Sequence, residues 1–435
     1  MKEEKKKNQI LLQAPKGMRD ILPEDAPYWE KINKALDEVA DFYDFKKIDT
    51  PIVERIEIFI RGVGAGTDII EKELYLLKSK GAEKLALRPE FTAPVMRAYL
   101  EHGMSRLPQP VKMYYLGPAF RYESPQAGRF RQFHHAGFEI IGGETDPVYD
   151  AQAINVAVRF LEKLKIKNPI LQINTIGCRV CRLIYRKKLQ DFYRKQKSAA
   201  KEKKIICRDC ERRMEINPLR LLDCKNELCA RLKEQAPIIL DSICANCRGH
   251  FKGVLEFLDE IGLSYELNSY LVRGLDYYNR TVFELFAEEG KSALAGGGRY
   301  DYLSELLGKK SVPAVGVAVG LERVIETMKL KEPSLSVRKT RPKVFVVHVG
   351  ELAKKRAFSL IEKFREANIK LEETLGKDSL QAQLKVADKE AADIVLIIGQ
   401  KEVYEEMVIV RDMKTGGQEN VPLKKIIEEM KKRLS

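Results

Sequence analysis

Apolar side chains at Ile32, Leu36, Val39 and Ala40 recur at helical spacing and predict a helix over 28–42. Phe45–Val53 reads as a strand, which Pro51 restricts to an edge or an irregular course. Further strands are expected at Leu85–Leu87, Val111–Arg121 and Phe133–Ile141. A helix over 148–164 should bury Ile154, Ala157, Val158, Leu161 and Leu164, and Leu171–Ile176 follows as a strand. A Lys-rich helix is predicted over 181–204, inside a segment unlike its surroundings. Alternation resumes with a helix from Val254, strands at Ser264–Val272 and Val282–Phe286, a glycine cluster at 296–298, a helix, and an apolar strand at Ala314–Val319. Residues 331–342 have no periodicity and hold two prolines, the pattern of a linker. Beyond it, Val344–Val349, a helix over 352–367, Lys370–Glu373, a helix over 379–390, Ile394–Ile398 and Val408–Arg411 alternate as βαβ units. The expected fold class is α+β with antiparallel strands, followed by a small α/β domain. The divisions are 1–176 and 251–330 for one interrupted domain, 177–250 for an insertion, 331–342 for the linker and 343–435 for the last domain.

Composition narrows the class. The chain has 435 residues, 44% hydrophobic and 32% charged, which excludes a disordered or fibrous protein. The apolar stretches around 312–321 and 394–398 are too short to span a membrane, and MKEEKKKNQ leads into Pro15 without a signal-peptide core; the expected location is the cytoplasm. The formal charge is +14, and residues 177–250 hold 19 basic against 9 acidic side chains. Charge gathered in one segment points to a polyanionic partner such as nucleic acid. All eight cysteines lie in that segment, as Cys178/Cys181, Cys207/Cys210, Cys224/Cys229 and Cys244/Cys247. Close pairs of this kind in a reducing compartment suit tetrahedral zinc rather than disulfides. An insertion leaves and re-enters its host at one place, so Cys178/Cys181 should join Cys244/Cys247, with His250 as a spare ligand. Cys207/Cys210 and Cys224/Cys229 would form a second site.

Five clusters combine arginine with glycine or acid: Arg88–Ala93; Phe120–Glu123 with Gly128–Glu139; Leu271–Tyr278; Gly296–Asp301; and Gly316–Arg323. Arginine at strand ends suits bidentate binding of phosphate oxygens, and nearby glycines let a backbone approach a ligand. The acids Glu90, Glu123, Glu139 and Asp276 could hold an ammonium, an imidazole or the arginines themselves. No G-x4-G-K-[ST] occurs, so a P-loop is excluded. These observations reach a phosphate-handling α+β enzyme with a basic, cysteine-rich appendage.

The order of motifs resembles the histidyl-tRNA synthetases, class II synthetases of the bacterial type, over essentially the whole chain. The resemblance rests on PKGMRDILPED (15–25), RPEFTA (88–93), FRYE (120–123), GRFRQFHHAGFE (128–139), LVRGLDYYNRTVFE (271–284), AGGGRYD (295–301) and AVGVAVGLER (314–323). It implies an antiparallel catalytic sheet with flanking helices and a C-terminal α/β domain for the anticodon arm. It also implies ATP as substrate with Mg²⁺, L-histidine, histidine tRNA and a homodimer paired through the region 28–53. By the family pattern Arg121 meets the α-phosphate, Arg323 the γ-phosphate and Arg273 the charge developing on the α-phosphate, with Glu123 also at the ATP site. Glu90 and Thr92 match positions that hold the amino acid, and Glu139 with Tyr277 or Tyr278 those that read the imidazole.

Two departures stand out. His135 occupies the position of the substrate-contacting glutamine usual in the family, and the cysteines are foreign to the pattern, so zinc is read from this sequence and not from the resemblance. Two other classes were weighed. Histidine-binding regulatory subunits of histidine biosynthesis lack the C-terminal domain that residues 341–435 supply, whereas Arg121, Arg273 and Arg323 are all present here. A plain zinc-stabilised RNA-binding protein would leave RPEFTA and LVRGLDYY unexplained.

Overall fold

The computed structural model describes residues 12–64, 66–78, 80–124, 128–199, 204–288, 293–333 and 344–434. The chain forms two units, Met1–Leu335 and Ser336–Ser435. Most of the expected linker, residues 334–342, lies outside the described residues.

An eight-stranded sheet organises the first unit. Across it the strands run Lys46–Lys47, Val111–Phe120, Gln132–Ile141, Ala314–Gly320, Ala293–Arg299, Asn279–Phe286, Ile170–Thr175 and Glu266–Leu267. The outermost pairings are parallel and all the inner ones antiparallel. On one face, helices Ala26–Phe42, Pro147–Lys163, Ala245–Glu260 and Leu321–Lys331 bury their apolar stripes, including Ile32, Leu36, Ile154, Leu161, Val254 and Val324. Asp146 starts the 147–163 helix by accepting a bond from Val148 N at 2.8 Å, and Pro147 supplies the preset φ of a first turn. Arg299 ties that helix to the sheet. Its guanidinium binds Asp150 and donates to Asp301 at 3.0 Å, all three side chains being buried. The arginine of AGGGRYD is therefore a structural ion pair.

The other face carries a second apolar cluster in which Phe91, Tyr99, Tyr115, Tyr277 and Tyr300 pack with Tyr185, Leu189, Tyr193, Leu221 and Ile239 of the cysteine-rich segment. That segment shares the core of the catalytic face. Ion pairs fasten it further: Arg213 and Arg220 reach Asp68 at 2.6 and 2.9 Å, and Arg212 reaches Glu71 at 2.6 Å.

Three expectations differ from the structure. Phe45–Val53 is not one strand: Lys46–Lys47 joins the large sheet, and Val53–Arg55 pairs with Leu85–Leu87 in a small separate sheet. Of Ser264–Val272 only Glu266–Leu267 is strand, because the Asn174 side-chain amide donates to the carbonyls of Ser269 and Leu271 at 3.2 and 3.0 Å and turns the chain away from the ladder. The glycine cluster at 296–298 is the middle of a strand. A Cβ on Gly297 would collide with the Gly316 carbonyl and Phe283, so this crowded position requires glycine.

The second unit is a five-stranded sheet in the order Leu371–Glu373, Val344–His348, Ile394–Ile398, Met407–Asp412, Gln418–Pro422. The first three strands pair in parallel, with helices Glu351–Glu366 and Leu380–Lys389 as crossovers. The last two pair antiparallel, and helix Ile426–Leu434 follows.

Candidate active site

A cavity of about 460 Å³ opens over the glycine-rich part of the large sheet. Its floor is made by residues of the Asn279–Phe286, Ala293–Arg299 and Ala314–Gly320 strands. Its walls come from the Glu90–Thr92 turn, the Arg121–His135 hairpin and the Val272–Tyr278 loop.

Four arginines line it, Arg121, Arg129, Arg273 and Arg323, and the three that the family pattern marks are each held by a partner of their own. Arg121 Nε donates to the Pro89 carbonyl at 2.9 Å. Arg323 donates to the carbonyls of Gly128 at 3.2 Å and Ala293 at 2.6 Å. Neutral acceptors fix direction; among the described residues Arg323 has no carboxylate within ion-pair distance, and Arg121 has Glu123 at 4.0 Å. Arg273 instead pairs with Glu284, and its guanidinium lies over Gly296, where any Cβ would displace it. Glu123 also faces the cavity, with Arg129 at 3.5 Å and Arg121 at 4.0 Å. Glu123 and Glu284 are the carboxylates available there to a metal that accompanies a phosphate ligand. Arg88, by contrast, is buried, donates to Pro118 O at 2.9 Å and lies over the Phe91 ring; it is a packing residue.

Beside the arginines is a polar recess. Glu90 accepts from the backbone N–H groups of Thr92 and Ala93 at 2.7 and 2.9 Å and from Tyr277 Oη at 3.3 Å. Burial still pushes its carboxyl above the usual range, against the pull of those donors. Thr92, Tyr115, Tyr277 and Tyr278 line the recess with it. His135 is there too, its Nδ1 buried without a hydrogen-bond partner among the described residues. Burial beside Arg121 and Arg323 brings its pKa down to about 3, so the imidazole is neutral at neutral pH.

Glu139 is placed otherwise than the resemblance implies. It is fully buried and does not line the cavity. Its carboxyl sits one layer beneath, with Thr92 Oγ1 at 2.8 Å, Tyr115 Oη at 3.2 Å and Tyr300 Oη at 2.6 Å, in space that a side chain at residue 316 would fill. It therefore reaches the cavity through the hydroxyls of Thr92 and Tyr115. Asp276 is also outside this cavity, accepting from Asn217 at 2.7 Å.

The cysteines form two quartets, Cys178/Cys181/Cys244/Cys247 and Cys207/Cys210/Cys224/Cys229, with the sulfurs of each within 4.8 Å of one another. Sulfur separations of 3.6 Å (Cys178–Cys181), 4.0 Å (Cys181–Cys247) and 3.8 Å (Cys207–Cys224) are far from the ~2.05 Å of a disulfide. They match the ~3.8 Å edge of a tetrahedron with Zn–S bonds of ~2.3 Å. Backbone N–H groups of Cys178, Cys207 and Cys244 point at sulfurs across each quartet, at 3.1–3.2 Å. His250 belongs to neither. It meets Arg280 at 3.1 Å and Asp150 at 3.4 Å, so its reading as a spare ligand is corrected. Asp223 and Lys225, on either side of Cys224, line the main cavity. Sequence reasoning missed both, along with Glu284, although Glu284 ends the LVRGLDYYNRTVFE run.

Residues 17–324 match the histidyl-tRNA synthetase family and residues 343–433 an anticodon-binding domain. The chain belongs to the histidyl-tRNA synthetase family. It is 44% identical over 426 residues to a histidine–tRNA ligase of Dehalococcoides mccartyi, covering 98% of this chain and 100% of that one. A histidine–tRNA ligase of Halothermothrix orenii is 43% identical, with 97% and 99% covered. The crystal structure of the apo S. aureus histidyl-tRNA synthetase superposes with a TM-score of 0.75 at 32% identity, covering 96% of this chain and 99% of that one. The antiparallel catalytic sheet and the C-terminal anticodon-binding α/β domain of this family are those described above. Among the described residues no helix is long and apolar enough to cross a membrane.

The buried acid of this synthetase fold gives a pH test. Burial raises the Glu139 pKa from 4.5 to about 8 against the opposing hydroxyls of Tyr300 and Thr92. The folded chain keeps a proton that the unfolded chain releases, so this contribution to stability is full below pH 4.5 and is lost as pH rises through about 8. Glu139→Gln, neutral at every pH, should flatten the decline of the urea midpoint across that window. Superimposable pH profiles for the two proteins would mean that Glu139 is ionised throughout.

Proposed function

We propose that this chain activates L-histidine with ATP to histidyl-adenylate and pyrophosphate, then transfers the histidyl group to the 3′ end of histidine tRNA. The observation that carries this reading is three separately oriented arginines around one cavity that also holds an acid–phenol recess, in a chain with an anticodon-binding domain.

The histidine carboxylate attacks the α-phosphorus of ATP, and pyrophosphate leaves in line. Such a displacement needs little covalent help; it needs alignment and fixed positive charge that matters most in the transition state. Arg121 takes the α-phosphate, Arg323 the γ-phosphate, and Arg273 the charge that grows on the α-phosphate oxygens. Glu123 and Glu284 would hold the Mg²⁺ that accompanies ATP, which would supply neutralisation of phosphate charge. Glu90 and Thr92 hold the substrate ammonium, whose charge offsets the burial that raises Glu90. Tyr277 and Tyr278 read the imidazole, with Glu139 as a positioning residue beneath Thr92 and Tyr115. Neutral His135, with an unpaired Nδ1, can replace the amide of the family's glutamine as a single hydrogen-bond partner. A regulatory histidine-binding role is disfavoured by the anticodon-binding domain over 343–433.

We further propose that each cysteine quartet holds one Zn²⁺. The inner site closes the neck where the segment leaves and rejoins the catalytic domain. The outer one holds Asp223 and Lys225 at the cavity rim. The segment stays basic with both ions bound, so the tRNA backbone is its natural partner, and the reaction is placed in the cytoplasm, where thiolates remain reduced.

Histidine-dependent ATP–pyrophosphate exchange followed by charging of a histidine tRNA transcript tests the activity. Histidine binding without exchange would establish the regulatory alternative. Metal analysis of the purified chain should find two zinc ions, and one in Cys207→Ser. Zinc-free protein of unchanged stability would remove the metal reading.

A further inference from the structure

Behind the Leu271–Asp276 loop, on the side away from the substrate cavity, is a second cavity of about 130 Å³. It lies between the cysteine-rich segment and the catalytic face, and four arginines line it: Arg182, Arg186, Arg220 and Arg273. Among the described residues Asp276 is the sole lining carboxylate. It is engaged by Asn217, and burial pushes it above its usual range, although Arg182 and Arg220 act in the other direction.

Two of the four arginines are ion-paired, Arg220 with Asp68 and Arg273 with Glu284, and the other two are held by backbone carbonyls. Arg182 donates to the carbonyls of Asp276 and Tyr278, and Arg186 to that of Ile216. Among the described residues neither has a carboxylate oxygen within ion-pair distance. Arg220 pairs through Nη2 with Asp68, and its buried Nη1, 3.9 Å from an Asp223 carboxylate oxygen, has no hydrogen-bond acceptor among the described residues. The Nε of Arg273 is buried and unpaired as well. Donors left dry in this way cost about 1–3 kcal/mol each, more when charged. The Oδ1 of Asn217, also unpaired at this cavity, is one acceptor against several donors, so the void favours a further acceptor. Ligand pockets for organic molecules run from about 300 Å³ upward, whereas one water takes ~30 Å³. A void of 130 Å³ therefore suits a group of phosphate size.

We propose that this second cavity is a phosphate-binding site, taking either inorganic pyrophosphate or a phosphodiester of the RNA acceptor end. Arg182 and Arg186 lie one helical turn apart on the Arg179–Ala199 helix and would grip it from the insertion. Arg220 and Arg273 would complete the shell. Arg273 lines both cavities. The RNA source rests on the tRNA-charging reading; the pyrophosphate source does not.

The test uses the full chain with its main cavity filled by histidinol and a non-hydrolysable ATP analogue, so that the place of the leaving pyrophosphate is occupied there. Radiolabelled pyrophosphate is then measured by equilibrium dialysis for the parent, Arg186→Gln and the charge-keeping Arg186→Lys. Arg186 makes one backbone bond and lies outside the reacting groups, so histidine-dependent exchange should be unchanged in both variants and reports their folding. If pyrophosphate is the ligand, its binding weakens about tenfold or more in Arg186→Gln and is partly kept in Arg186→Lys. If the ligand is an RNA phosphodiester, Arg186→Gln instead raises the KM for tRNA, and the slope of binding against log salt falls by about one. Pyrophosphate binding and tRNA KM both unchanged in Arg186→Gln would overturn the site.

Discussion

Charge that must be held still without being cancelled is the constraint on which this structure depends. A guanidinium aimed by a carboxylate loses much of its field to its partner, whereas one aimed by a carbonyl oxygen keeps it. Arg121 and Arg323 are held by the carbonyls of Pro89, Gly128 and Ala293. Arg273 has Glu284, but it is seated over Gly296, where the absence of a side chain gives the guanidinium its place. The glycine-rich centre of the sheet follows from the same constraint. Residue 296 leaves room for an arginine, and residue 316 leaves room for the buried Glu139 carboxyl.

The cysteine-rich segment belongs to this arrangement. Its tyrosines and leucines complete the apolar cluster under the catalytic face, and its arginines lock onto Asp68 and Glu71. The Cys224 region reaches the cavity rim through Asp223 and Lys225. An element that appeared to be a basic appendage thereby helps to shape the substrate cavity, and its proposed metals would hold two of the cavity's walls in register.

Much of this was legible from the chain, for identifiable reasons. The 26–42 and 147–163 helices carry broad apolar stripes, and their faces are the ones that pack on the sheet. Strand Gln418–Pro422 escaped because it buries only Val421, and the 269–272 stretch, expected as strand, is not one because Asn174 captures carbonyls that a ladder would otherwise use. At the site, motif order marked Arg121, Arg273 and Arg323, all of which line the cavity. Depth was not legible. Alternation along a strand assigns a face, but it does not separate Glu90, at the wall, from Glu139, one layer below. Asp223 and Lys225 lie far along the chain from the other lining residues and carry no motif. Their placement depends on tertiary packing.

The central claim is that fixed arginine charge acts on the phosphates in the transition state rather than on bound histidine. Steady-state pyrophosphate exchange by Arg273→Ala tests it most directly. The account predicts that kcat falls by about two to three orders of magnitude, with the KM for histidine little changed. An unchanged kcat with a raised histidine KM would contradict it.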